Sequence, residues 1–254
     1  MSNMSINSRG LFNSYSHLSS GKRINSAADD ASGLAIAKRL QREETGLNVG
    51  AQNAKSGIGV LNVAEGALSG VSDYLQRIRE LAIKSMNGIA SDSDKRIYQN
   101  EINQLKDGIQ SLAKDTSLNE QTLLDGSMAD MNLATNPSGG GTRIQMVNST
   151  LEALGIADLD VTSKDFNLDA IDKALDMVSS QRSSFGASTN RLEHTYNYNM
   201  SSSLSQLSSR SRLEDLDIPK AVTEKQKKAL LYEYSIMMQK KRQEQDGLIT
   251  RMFH

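Results

Sequence analysis

The 254-residue chain has no cysteine, no tryptophan, only 2 prolines and few aromatics, 4 Phe and 7 Tyr. Each absence excludes something. Without cysteine there is neither a disulfide framework nor a thiolate zinc site, so as far as thiols go the chain is indifferent to redox compartment. A compact enzyme core usually draws on aromatics for buried area. A long helical bundle fills its narrow seams with Leu, Ile, Val, Ala and Met instead. An interior proline costs a helix about 3 kcal/mol, and their scarcity leaves room for uninterrupted helices. Charge of one sign is also missing: 29 Lys plus Arg against 30 Asp plus Glu give a formal net charge of -1. That balance argues against nucleic-acid binding, which calls for a basic stripe or domain. No run approaches the roughly 18 apolar residues of a membrane span, so membrane insertion is not expected. Residues 1–10 are polar and lack the apolar stretch of a secretory signal peptide. Composition by itself therefore points to the cytosol.

What is present is helical periodicity. Leu61, Ala64, Leu68, Val71, Leu75, Ile78 and Ala82 repeat in a 4-3 pattern for three heptads. This predicts a helix from near Thr45 to about Met86, ~60 Å long at 1.5 Å per residue, ending at the Asn87-Gly88 turn. A second helix, capped by Ser91 or Asp92, carries Tyr98, Ile102, Leu105, Ile109 and Leu112, and is expected to close at Leu123 to Gly126. Residues 131–146, with Pro137 and three glycines at 139–141, read as a small β-hairpin. Residues 147–165 read as irregular. Helix resumes at Asn167 with Leu168, Ile171, Leu175, Val178, Phe185 and Leu192 on one face, and runs to about Ser209. Asp217-Ile218-Pro219 opens a last helix that continues to the C-terminus. Before all these, residues 1–17 read as a weak helix or a segment that orders only on binding, broken at Gly21. Ser26 with Asp29 reads as an imperfect helix start. The fold class is thus mainly α: a long antiparallel helical bundle or coiled coil from both chain ends, with a small β-hairpin in the middle. Such a chain goes out, turns and comes back, bringing its termini together at one end of a rod.

Few residues invite a chemical reading. Asp29-Asp30 and Glu43-Glu44 are adjacent carboxylates, but helix neighbours point about 100° apart, so capping and solvation fit them better than catalysis. His17, His194 and His254 have no ligand spacing. No nucleophile elbow, phosphate loop or dinucleotide fingerprint occurs. The sequence therefore predicts no catalytic, cofactor-binding or metal residues, and no enzyme. Lys225, Lys227, Lys228, Lys240, Lys241 and Arg242 interleave with Glu224, Glu233, Glu244 and Asp246. This mixture suits a solvated helix face better than a helix laid on an anionic membrane.

The run from Leu18 to Ala37, LSSGKRINSAADDASGLAIA, closely resembles the N-terminal signature of bacterial flagellins. The resemblance continues through Gly46-Leu47, NAKSGI at 53–58, AEGAL at 64–68 and LQRIRELA at 75–82. It resumes at Phe185-Gly186-Ala187, at Asn190 to Leu192, and from Ser211 to Asp217. It implies a terminal inner coiled-coil domain of residues 1–40 plus 211–254, and a rod domain of residues 41–210 carrying the hairpin. The outer variable domain of many flagellins is absent from the pattern. It implies also a structural subunit that self-assembles into the bacterial flagellar filament for motility, exported to the extracellular flagellum without a cleaved signal. The implied partners are copies of itself in a helical polymer, a flagellar export chaperone and a cap protein. A vertebrate Toll-like receptor joins them, through Arg77, Leu81 and Glu101; the bland alternative is that Arg77 and Glu101 serve filament packing or are exposed helix residues. For self-assembly the expected inner-helix contacts are Leu11, Phe12, Ile24, Leu34, Leu230, Ile236 and Met237. The stretch before Leu18 is short for the family, and the C-terminal segment is more basic and tyrosine-rich than its usual Ala/Gln-rich form. Two other roles stay open at this point: a hook–filament junction protein, and a secreted helical binding module acting as a monomer.

Overall fold

A computed structural model describes residues 12–163 and 166–252, with side chains through residue 245. Among the described residues five helices and two small hairpins follow in order: α1 (residues 12–20), α2 (Ala31–Ser85), α3 (Asp92–Asp115), β1 (Ser117–Leu118), β2 (Gln121–Thr122), β3 (Asp130–Ala134), β4 (Gly141–Gln145), α4 (Asp169–Glu214) and α5 (Ile218–Met252). Contacts divide the chain into two units, Met1–Glu44 with Ser203–His254, and Thr45–Ser202.

In the unit of residues 45–202 the heptad residues of α2 form the core. Leu61, Ala64, Leu68, Val71, Leu75, Ile78 and Ala82 are all fully buried. They cluster with Ile102 and Ile109 of α3 and with Ile171, Ala174, Val178, Phe185 and Leu192 of α4. Ion pairs fix the directions. Glu65 of α2 meets Arg182 of α4 at 2.9 Å, and Arg79 meets Asp172 at 2.7 Å. Numbers rise along one helix as they fall along the other, so the pair is antiparallel.

Three boundaries differ from the sequence expectation. α2 begins at Ala31 rather than near Thr45, because Asp30, not Ser26, caps it: Asp30 Oδ1 accepts the Gly33 N–H at 2.8 Å. α3 ends at Asp115 rather than at Gly126, where the Thr116 N–H and hydroxyl both turn back to the Leu112 carbonyl. After it comes an unexpected hairpin, Ser117↔Thr122 and Leu118↔Gln121. Its two-residue turn holds Asn119 and Glu120 at positive φ, 52° and 67°, and the usual Asn-Gly signal is lacking. At the other end of α3 the expected cap is present. Ser91 and Asp94 form a reciprocal capping box.

The second hairpin pairs Asp130–Ala134 with Gly141–Gln145, Met131 facing Ile144, and starts one residue before the expected 131–146. Its tip lies on α2, where Gly46, Gly50 and Gly57 leave space for it. A Cβ on Gly50 would come within 2.2 Å of the Thr135 carbonyl oxygen, and one on Gly57 within 2.2 Å of Leu133 Cδ1. Two amides hold the tip: Asn53 Nδ2 donates to Ala134 O at 2.7 Å, and Asn199 Nδ2 to Thr135 O at 2.8 Å.

The segment after it is irregular, as the sequence suggests, yet Leu154, Ile156, Leu159 and Val161 are buried. A polar stripe on α3 satisfies its backbone. Gln99 bonds the Leu159 carbonyl and the Val161 N–H, Lys106 bonds the Ala157 carbonyl, and Gln110 accepts the Leu151 N–H. Positions 99, 106 and 110 share one helix face.

In the other unit, α1 stops at Gly21, whose φ of +67° is the left-handed conformation that ends helices. The strand-like residues after it pair with the α4–α5 connection. Leu216 N–H donates to Gly21 O at 2.9 Å, and Arg23 N–H to Glu214 O at 2.7 Å. Ile24 is buried behind this pairing. One expectation is corrected here. Glu44 is not merely solvated; it meets Arg210 at 2.7 Å. Lys22 Nζ donates to the buried Glu214 at 2.7 Å. α5 starts as expected, with Asp217 Oδ1 accepting the Lys220 N–H at 3.1 Å.

The glycine contacts give a paired test. Gly50→Ala should lower unfolding stability by about 1–3 kcal/mol through overpacking. Gly59→Ala, whose Cβ meets nothing within 4 Å, should raise it by about 0.5–1 kcal/mol through helix propensity. Denaturant melts of both variants check this.

Candidate assembly surface

α5 is apolar on two faces. Ala221, Ala229, Tyr232 and Ile236, with the aliphatic part of Lys225, are half-buried. Their spacing of roughly one turn makes a single stripe. α1 accompanies that side: Lys225 Nζ sits 4.1 Å from the centroid of the Tyr15 ring, and Lys228 Nζ donates to Ser14 Oγ at 3.0 Å. The remaining apolar residues point the other way. Leu230 is 67% exposed, Tyr234 60%, Met237 64% and Met238 40%, and Leu231 beside them is also exposed. Positions 230, 234, 237 and 238 follow the i, i+4, i+7, i+8 pattern of one helical face. Phe12 on α1, and Leu204 and Leu207 near the end of α4, are exposed in the same unit. Isolated exposed apolar residues are ordinary, but a face of adjacent ones on a single helix marks an interaction surface.

The expected assembly residues divide accordingly. Phe12, Leu230 and Met237 are exposed, Leu34 and Ile236 are half-buried, and Leu11 lies outside the described residues. Ile24 is buried within its own unit, so its place is structural in the single chain. Leu231, Tyr234 and Met238 were not singled out. The i, i+4, i+7, i+8 spacing running through them was the available signal, hidden because α5 carries apolar residues on both sides.

The three receptor-contact candidates also separate. Arg77 forks onto Glu101 of α3, Nε at 2.9 Å and Nη2 at 2.7 Å, and reaches Glu80 at 3.0 Å. The Glu101 hydrogen bond, then that of Glu80, raises the Arg77 pKa above its ordinary value. Leu81 is 1% exposed and belongs to the core. It is inaccessible to a partner while the helices stay packed.

The turn between α1 and α2 is held by one carboxylate. Asp29 Oδ2 accepts the N–H of Asn25 at 3.0 Å, the N–H of Ser26 at 2.9 Å and the Ser26 hydroxyl at 3.1 Å. The His17 ring stands 3.5 Å from its other oxygen and contacts the Lys22 carbonyl at 3.0 Å. The two backbone hydrogen bonds are the main reason the Asp29 pKa lies below the ordinary aspartate value of 3.8. Among the described residues, no three His, Asp or Glu side chains gather as a metal site, and no helix is long and apolar enough to cross a membrane.

Long helices, small hairpins between them, and an apolar face left open on the terminal unit define a helical structural subunit. Comparison with known proteins names the family. Residues 1–129 match the bacterial flagellin N-terminal helical region and residues 168–252 the C-terminal helical region. The chain is similar to the flagellin of Halalkalibacterium halodurans, 36% identical over 87% of this chain and 84% of that protein. It is 33% identical to the flagellar filament core protein flaB2 of Brachyspira hyodysenteriae, over 87% of this chain and 84% of that protein. The crystal structure of Bacillus cereus flagellin aligns with a TM-score of 0.53 at 25% identity, over 58% of this chain and 88% of that one. A putative flagellar hook-associated protein from Vibrio parahaemolyticus aligns at 0.61, over 74% of this chain and all, 100%, of that one. Its 18% identity shows a shared fold alone. The chain belongs to the bacterial flagellin family.

The Asp29 turn gives a pH prediction with a fixed sign. A depressed carboxylate pKa contributes stability that is present above the ordinary value and lost as pH falls through the folded one. The amide signals of Asn25 and Ser26 should therefore titrate together with a midpoint below 3.8, and Asp29→Asn should abolish that titration. A midpoint at or above the ordinary value contradicts the assignment.

Proposed function

We propose that this chain is a structural subunit of the bacterial flagellar filament, and that neighbouring copies complete its terminal unit by covering the outer face of α5. Kinship with flagellins and filament core proteins supports the role. The single observation that carries the mechanism is the uncovered row Leu230, Tyr234, Met237 and Met238. Full burial of one large apolar side chain contributes about 1.5–3 kcal/mol. Ordering a residue costs about 1–2 kcal/mol in backbone entropy. The described residues of one copy cover only the inner stripe of α5, so the helix gains little beyond its ordering cost. Contact with a second copy adds the outer row. Subunits then stay soluble singly and become firmly ordered on docking. When that face meets a different face of the neighbouring copy the contact is heterologous, and heterologous contacts that do not close generate helical polymers.

Export to the extracellular flagellum, a chaperone that covers the terminal helices before assembly, and a cap protein at the growing end follow as proposals from the family. So does a vertebrate Toll-like receptor, which would meet Arg77 and Glu101 at their exposed edges and not Leu81.

The test is seeded polymerisation of the full chain, followed by light scattering and electron microscopy. Leu230→Asp should leave the monomer's helical content unchanged and slow elongation by about two orders of magnitude, the equivalent of roughly 2.7 kcal/mol for burying an unpaired charge. Elongation at the parent rate overturns the reading.

A further inference from the structure

The chain has no cysteine and 11 methionines, so methionine is its one sulfur chemistry. Two of these methionines, Met237 and Met238, stand side by side on the outer row of α5, 64% and 40% exposed. Met146 is buried, and Met128 and Met131 are half-buried against the core of residues 45–202. Met86, Met177 and Met200 are exposed, but none lies in the terminal unit.

We infer that Met237 and Met238 form an oxidation-sensitive site on the free subunit, at which conversion to the sulfoxide by a peroxide-class oxidant blocks docking of a second copy. The inference rests on the outer face of α5 being the assembly surface. The chemistry is an oxygen transfer. The sulfur lone pair attacks one peroxide oxygen, the S–O bond forms as the O–O bond breaks, a proton shifts to the departing oxygen, and water leaves. Sulfur is oxidised by two electrons and the peroxide is reduced. A flexible apolar thioether becomes a polar, chiral sulfoxide. On an exposed surface that change is solvated at little cost. Against a neighbouring subunit the S=O group loses water without a matched donor, and contact is disfavoured. Adjacent positions compound the effect, since Met237 and Met238 both lie one turn from Tyr234 in the same row. Reactivity follows exposure, so the free subunit is vulnerable where Met146 is not.

The experiment treats the full-length monomer with hydrogen peroxide to partial oxidation, then adds filament seeds. Sulfoxide is mapped by peptide mass spectrometry in the polymer and in the subunits left in solution. Sulfoxide at 237 and 238 should be enriched severalfold in the soluble fraction, and elongation of fully oxidised monomer should fall by about tenfold or more. Methionine sulfoxide reductase should restore it. The Met237→Leu/Met238→Leu variant, close to the parent in side-chain volume, should keep its elongation rate after peroxide. The Met86→Leu/Met177→Leu/Met200→Leu variant should remain sensitive. Equal sulfoxide content in polymer and solution overturns the inference whatever the variants do, as does loss of elongation in the Met237→Leu/Met238→Leu variant matching the parent's. The two readings separate cleanly. If Leu230→Asp blocks elongation and the double sulfoxide does not, only the oxidation site fails; if Leu230→Asp elongates normally, the assembly face itself is wrong.

Discussion

The structure depends on an apolar helix whose own chain covers one side of it. α5 has an inner stripe through Ala221, Ala229, Tyr232 and Ile236, and an outer row through Leu230, Tyr234, Met237 and Met238. Among the described residues nothing covers the outer row. A long helix gains its stability chiefly from packing an apolar face, not from local propensity. A half-covered one is poised, held to α1 by exposed contacts such as Lys225 on Tyr15 and Lys228 on Ser14. Exposed charged and cation–π contacts of this kind contribute of order 1 kcal/mol or less. They set position more than stability.

The unit of residues 45–202 follows the opposite logic. Its α2 seam is fully buried, and its irregular parts have their backbone groups met by specific side chains. Asn53 and Asn199 hold the hairpin tip, and the glycines of α2 let it approach. A filament subunit needs both properties: a body that folds on its own, and terminal helices whose last apolar surface is supplied by neighbours.

How much of this was legible follows from which signals are local. The α2 seam was, because seven apolar residues at 4-3 spacing leave one choice of face, and all seven are buried. So were the Ser91 and Asp217 caps and the Pro137-bearing hairpin. The start of α2 was not, since Ser26 and Asp30 are both good caps and only the turn built on Asp29 decides between them. The β1–β2 hairpin was hidden by Glu120, a poor residue for a positive φ. Burial of Ile24 and Leu81 was not legible for a different reason. A motif shared with a family marks a residue as important without saying whether it packs inside or faces out. Glu44 read as solvated because its partner, Arg210, lies far along the chain.

Hydrogen exchange of the same subunit, free and polymerised, tests the central claim most directly. In the free chain the amides of residues 218–245 should exchange far faster than those of residues 61–82 in α2. In the polymer they should gain protection of several orders of magnitude while residues 61–82 change little. Were α5 as protected in the free subunit as the α2 seam, its outer face would not be an unfinished surface, and the account would be wrong.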